Sequence, residues 1–231
     1  DLRFARGRFL LIGSVVALIT ILVGFLSGLT GGLATQNVSA LLAIPADRIV
    51  FSSSSSGSAD TSFADSAVTA EDTAAWEAAD GVVEVQPMGI SQGRAEGVDT
   101  RVAVAMFGVP PGFDDNTPRQ DGSVNLSTSA AEQLGTVIGD TITISGTAYA
   151  VTSVEGDAWY SHTPVVTMTL HDWQAHAIVT GSPEAYATVL AVKGDADWAA
   201  VSDLTDTEAL TSLASLTALS AFTSEIGSLL M

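Results

Sequence analysis

Hydrophobic side chains are spread very unevenly along the chain. Residues 9–33, FLLIGSVVALITILVGFLSGLTGGL, contain no charged side chain, and the next ionisable group is Asp47. A helix crosses a bilayer core with about 20 mostly apolar residues, so this run predicts a membrane span. A secretory signal has a shorter apolar core, roughly 7–15 residues, whereas this run continues with helical spacing through Asn37, Ser39 and Leu42. The helix is expected to end near Ala43, because Ile44 precedes Pro45 and a residue before proline is pushed out of the helical region.

Beyond the span the pattern changes to short alternating stretches. Residues 48–53 read as a strand with Val50 and Phe51 as its apolar centre, followed by a polar loop, SSSSSGSAD. Residues 70–79 read as a helix with Thr69 as N-cap, Glu71 and Asp72 in the first turn, and Gly81 closing it. Residues 82–90 and 101–109 read as strands joined by a hairpin at 94–99. Residues 122–170 form a β-rich insertion. It opens with a short strand and a helix capped by Ser127, and continues with strands in TITISG, TAYAVTSVEG and HTPVVTMTL. TLHDWQAH is a short helix, 187–194 a buried strand, and DADWAAVSD and TDTEALTSLA are helical stretches.

From Phe222 the chain becomes apolar again, and EIGSLLM predicts the start of a second span. The expected organisation is a membrane protein. Residues 1–8 are a cytoplasmic segment, and 9–43 a transmembrane helix with an external extension. Residues 44–221 are an extracytoplasmic α+β domain, and 222–231 the beginning of a second transmembrane helix. The chain starts at Asp1 and stops at Met231 inside an apolar stretch, so a piece of a longer polytopic protein is expected.

Charge adds an orientation. Arg3, Arg6 and Arg8 stand before the span, and no Lys or Arg follows until Arg48. The positive-inside rule therefore places the N-terminus in the cytoplasm and the domain outside. With 26 acidic residues against 8 basic ones and a net charge of −18, the chain repels phosphate backbones, which argues against a nucleic-acid partner. The chain has no cysteine, which excludes disulfides, thiolate catalysis and cysteine metal sites. Abundant Ala, Ser, Thr and Gly with little Lys suits a GC-rich bacterium, hence a bacterial cell membrane.

Gly24, Gly28 and Gly32 recur every four residues within the span. That spacing puts them on one helix face, where missing side chains let a second helix approach closely. Candidate chemistry is sparse. His171 and His176 are five apart and do not share a helix face, and no HExxH signature occurs, so the three histidines read as structural or solvated. GISQG, residues 89–93, matches a GxSxG elbow around Ser91, but the elbow needs a helix after its strand. Here a polar stretch leads to another strand, so it reads as a glycine-rich hairpin turn. Trp76, Trp159, Trp173 and Trp198 read as core or interface anchors. No catalytic residue, cofactor motif or metal site is expected.

Several segments together carry a resemblance: the arginine-flanked span with its exit FLSGLTGGLATQNVSALLAIPADRIVFS; VNLSTSAAEQLGTVIGDTITISGTAYAVTSV; YSHTPVVTMTLHDWQ; and ALSAFTSEIGSLLM. In this order they resemble the permeases of MacB/FtsX-type ABC transporters, and within them the haem-exporter (HrtB) and DevC-like branch. The resemblance implies a four-span permease that dimerises and pairs with a separate cytoplasmic ATPase. The long first helix would carry motion across the membrane. It further implies export of haem or another amphipathic molecule, with Phe51 and Glu225 at the positions of substrate contacts. A family tyrosine near the HTPVV-type strand has no match here. FtsX-like relatives instead imply a non-transporting mechanotransmitter that activates a cell-wall hydrolase. A third reading is a membrane-anchored external binding domain.

Overall fold

The computed structural model describes residues 2–53, 61–182 and 185–218, with side chains for 10–28, 38–53, 61–182 and 185–216. Helix α1 runs unbroken over Leu2–Leu42. At 1.5 Å per residue, its 41 residues extend about 60 Å, roughly twice a bilayer core. The segment Leu10–Gly28 has a mean hydropathy of 2.6 and none of it is buried by the chain. An apolar surface of that size, left bare, fits lipid rather than water. Pro45 stops the helix as expected, with Ala43 N donating to Ser39 O and Ile44 N to Leu41 O as the last turn tightens.

The domain that follows is α+β. Its elements are β1 (Arg48–Ser52), α2 (Ala70–Glu77), β2 (Val82–Glu96), β3 (Arg101–Val109), β4 (Ser123–Leu126), α3 (Thr128–Leu134), β5 (Thr141–Ile144), β6 (Thr147–Val154), β7 (Trp159–Tyr160), β8 (Thr163–Thr169), α4 (Leu170–Val179), β9 (Val189–Gly194), α5 (Trp198–Thr205) and β10 (Thr207–Leu210). A 3₁₀ turn follows at Ala214–Ala218.

The strand order is β10-β1-β9-β2-β3-β8-β4-β6-β5, and β5 pairs back onto the far end of β2. The 15-residue β2 therefore serves two lobes. Its first half pairs with β9 in an open sheet, from Val82 to Met88. Its second half, from Gly89 to Glu96, pairs with β3 and enters a closed ring of β2, β3, β8, β4, β6 and β5. Segment 122–170, expected as a β-rich insertion, supplies β4 to β8 and α3. It is joined to the rest through β3–β8 and β2–β5 pairing. The ring encloses Val104, Met106, Leu126, Ile142, Ile144, Val166 and Met168, all essentially inaccessible. A separate core under the open sheet gathers Val50, Trp76, Leu190 and Val192.

Local signals explain the helices. Thr69 Oγ1 accepts from Asp72 N at 3.1 Å, and Asp72 Oδ2 accepts from Thr69 N at 2.8 Å, a reciprocal capping box. Ser127 caps α3 through Ala130 N, and Gly135 closes it in the left-handed conformation.

Three expectations change. The hairpin between β2 and β3 is not 94–99: Arg94 to Glu96 are paired strand, and the turn is confined to 97–100. The stretch GISQG is likewise not a turn but lies inside β2, with Gly89 opposite Gly108 and Ser91 opposite Met106. TDTEALTSLA is not helical at its start. Asp206 adopts φ 52° and ends α5, after which Thr207–Leu210 pairs antiparallel with β1. The open backbone edge of β1 overrides the weak helical pattern there. The second span, Glu225 and the serine-rich loop at 54–60 lie outside the described residues.

Candidate functional site

The foot of the domain is where α1 leaves the apolar segment and enters a protein core. Val38, Ala40 and Leu41 are buried there, followed by Ile44. They pack in one cluster with Ile49, Phe51, Phe63, Phe107, Tyr160, Val165 and Leu216. The helix thus does not end in a flexible tether. It runs directly into the hydrophobic base of the domain, and Leu41 alone, fully buried, stabilises the joint by about 1.5–3 kcal/mol.

Aromatic rings order this base. Phe51 meets Phe63 edge-on at 4.8 Å between centroids, Phe63 meets Tyr160 at 6.0 Å, and Tyr160 meets Phe107 at 5.6 Å. Edge-to-face contacts of this kind favour one relative orientation over others. Burial of the Tyr160 hydroxyl pushes its pKa well above the usual phenol range, so it stays neutral.

A short hairpin grips the helix from the ring side. Trp159 and Tyr160 pair with Pro164 and Thr163, and the two residues between them, Ser161 and His162, both have positive φ (47° and 62°). Two consecutive positive φ angles define the tight hairpin turn whose twist matches the strands. Neither residue is glycine, so the turn costs more than usual and is held by its surroundings. It presents the Trp159 backbone to α1. Ser39 Oγ accepts from Trp159 N at 2.8 Å and also faces Trp159 O at 3.5 Å. Trp159 Nε1 donates to Asp157 Oδ1 at 3.0 Å, and that oxygen also accepts from Ser129 Oγ on α3. A continuous set of polar contacts thus leads from α1 to a helix of the ring.

The open-sheet lobe is fastened to the same joint by separate bonds. Asp47 N donates to Val192 O at 2.9 Å, and Asp47 Oδ2 accepts from Gly194 N at 2.9 Å. Arg48 lies over the Trp198 ring at 5.0 Å, a cation–π contact. The ring therefore bonds to α1 itself at Ser39, and the open sheet bonds to the short segment that leads from α1 into β1.

Between the lobes, α4 sets Trp173 against the sheet where β2 changes partner. Gly89 and Gly108 face each other across β2 and β3. A Cβ on Gly89 would fall 2.0 Å from the Trp173 ring, and one on Gly108 would fall 2.2 Å from Trp173 Cβ. Only glycine admits the indole at that depth. Trp173 Nε1 donates to Ser91 Oγ at 2.9 Å. Ser91, centre of the GxSxG match, is thus engaged with a tryptophan on a strand. No nucleophile elbow exists at this position.

The residues singled out from sequence fall in different places. Phe51 is fully buried in the basal core, packed on Phe63, with no exposed surface in this conformation. Gly24 and Gly28 face open space, so nothing within the described chain packs on them. The surroundings of Gly32, and Glu225 altogether, lie outside what is described. Asp121, His171 and Asp172 bring ligand atoms within 4.8 Å of one another. Asp121 accepts from Thr169 Oγ1 and pairs with His171, and Asp172 Oδ2 accepts from Gly122 N. The group reads as a clasp on the start of α4. Ser39 and Trp159 escaped sequence reasoning. The signal available was a small polar residue interrupting the apolar exit of a span.

Comparison with known proteins places this architecture. The chain shares its fold with the periplasmic region of MacB from Actinobacillus actinomycetemcomitans, at 13% identity and a TM-score of 0.51 over 71% of this chain and 88% of that one. The extracellular domain of the noncanonic ABC-type transporter YknZ from Gram-positive bacteria aligns at 12% identity and a TM-score of 0.49, over 71% of this chain and 98% of that one. No curated protein matches by sequence. The sequence family described as the MacB-like periplasmic core domain matches residues 9–207, and the chain belongs to that family.

Proposed function

We propose that the chain is the first-helix and extracytoplasmic part of an ABC-transporter permease, in which α1 acts as a lever between a cytoplasmic ATPase and the external domain. One observation carries this reading: the helix that exposes a membrane-length apolar segment continues without a break into the buried core of the domain. A continuous helix anchored in the domain core moves with that domain, whereas a flexible tether would not transmit displacement. The subunit is a homodimer in this reading, with the Gly24–Gly28–Gly32 face taking a neighbouring helix. The ATPase is a separate chain, and the membrane is the bacterial cell membrane with the N-terminus inside.

Proline at Thr35 tests the lever. It removes an intrahelical hydrogen bond and clashes with the preceding turn, at about 3 kcal/mol or more. In the full-length permease with its ATPase, Thr35→Pro is expected to leave ATP hydrolysis in place and abolish export. Export at the parental rate would contradict the lever.

The cargo in this reading is amphipathic. Haem binding to the complete complex, measured before and after Glu225→Ala, tests the contact expected at that position. Unchanged affinity would remove it. Phe51 would reach a ligand only if the basal core opened, since its ring is enclosed by Phe63 and its neighbours.

A further inference from the structure

A cavity lies beside Trp173, between the loop at 63–67, the middle of β2 and the inner face of α4. Its volume is about 550 Å³, within the range of small-molecule sites. Phe63, Ile90 and Trp173 supply apolar wall; Ser91 and His176 supply polar atoms. Asp65 is the only charged side chain lining it among the described residues, and it is exposed.

His176 is the informative group. It is 92% buried, at 8% exposure, and it lines the cavity. Among the described residues its imidazole has no hydrogen-bond partner; the backbone carbonyl of the same residue is taken by Thr180. Burial lowers its pKa below the ordinary histidine value, so the ring is neutral near pH 7 and offers one lone pair. A ligand N–H entering the cavity that His176 lines would donate to that lone pair. Ser91 Oγ, already accepting from Trp173, keeps its own proton to donate.

Charge narrows the class. Among the described residues no Lys or Arg lines the cavity, and the chain carries a net charge of −18. Anions such as carboxylates and phosphates are therefore disfavoured, whereas the Asp65 carboxylate favours a cation. We propose that this inter-lobe cavity binds a monovalent organic cation with an apolar or aromatic body and an N–H donor, its body against Trp173 and Phe63, its N–H on His176 and its charge near Asp65. The inference is independent of the lever, since binding needs neither the ATPase nor motion of α1.

Proflavine is a suitable probe: a fluorescent aromatic monocation with N–H donors. It would be titrated into the full chain in nanodiscs at high salt, which screens diffuse attraction to an acidic surface. The expected result is one saturable site per chain, weakened at least about fivefold in both His176→Leu and Asp65→Asn, with no binding of the anionic dye fluorescein. Asp65 is exposed, so Asp65→Asn leaves the fold intact and keeps the test valid if His176→Leu misfolds. Non-saturable binding, equal binding of fluorescein, or full affinity in Asp65→Asn would overturn the proposal.

Discussion

At the scale of single residues, the chain shows how small side chains create positions for large ones. Gly89 and Gly108 come from separate strands and mean little apart, yet together they form the floor on which Trp173 lies. The three atoms nearest to a methyl on Gly89 all belong to that indole ring, so the two sites are expected to be energetically coupled. Gly89→Ala is expected to cost about 1–3 kcal/mol from overpacking, and Trp173→Ala about 3–5 kcal/mol from the cavity it leaves. In denaturant titrations the double variant should fall short of the sum by more than about 1 kcal/mol. Additive losses would mean that the glycines serve something other than the indole.

His176 makes a second residue-scale prediction. Its folded pKa is lowered by burial, so the unfolded chain binds a proton more readily than the folded one. Stability should therefore be insensitive to this group above about pH 6.5, the unfolded value. It should decline as pH falls from there toward the folded pKa, and level off below it. Melting temperatures of the parent and His176→Leu between pH 5 and 8 would reveal this as a destabilisation of the parent relative to the variant that grows as pH falls below about 6.5.

At the scale of elements, legibility in the sequence tracks the range of the interaction that forms each element. The starts of α2 and α3 were readable because Thr69, Asp72 and Ser127 cap within three residues of themselves. The end of α1 was readable because Pro45 acts on its own neighbour. β10 was not, because Thr207–Leu210 becomes a strand only by meeting the edge of β1, more than 150 residues earlier. The middle of β2 was misread for the same reason: its glycines answer to a tryptophan on α4. Of the candidate site, the long helix and its entry into the domain were visible, but the clasp of Ser39 on Trp159 depends on a hairpin 120 residues away. Helix α1 also allows a direct test of orientation. The chain has no cysteine, so single cysteines can be introduced cleanly. Arg6→Cys should react with a membrane-impermeant thiol reagent only after cells are opened, and Val98→Cys, on the exposed β2–β3 turn, in intact spheroplasts. The reverse pattern would invert the topology.

At the scale of the whole molecule, a single helix meets a domain of two lobes that share one strand. β2 gives each lobe half of its length; the ring is bonded to α1 through Ser39 and Trp159, and the open sheet to the α1–β1 connection through Asp47. Displacement of the helix end therefore acts on both lobes at once, and the apolar segment below has no packing partner within the described chain. The central claim is that motion of α1 reaches the domain. Its most direct test is the distance between spin labels on Val98→Cys in the two copies of the full-length permease, assembled with its ATPase, with and without nucleotide. The account predicts a nucleotide-dependent change in that distance that disappears in Thr35→Pro but survives in Thr35→Ala, while ATP hydrolysis continues in both. The same nucleotide-dependent change in Thr35→Pro as in the parent would contradict it.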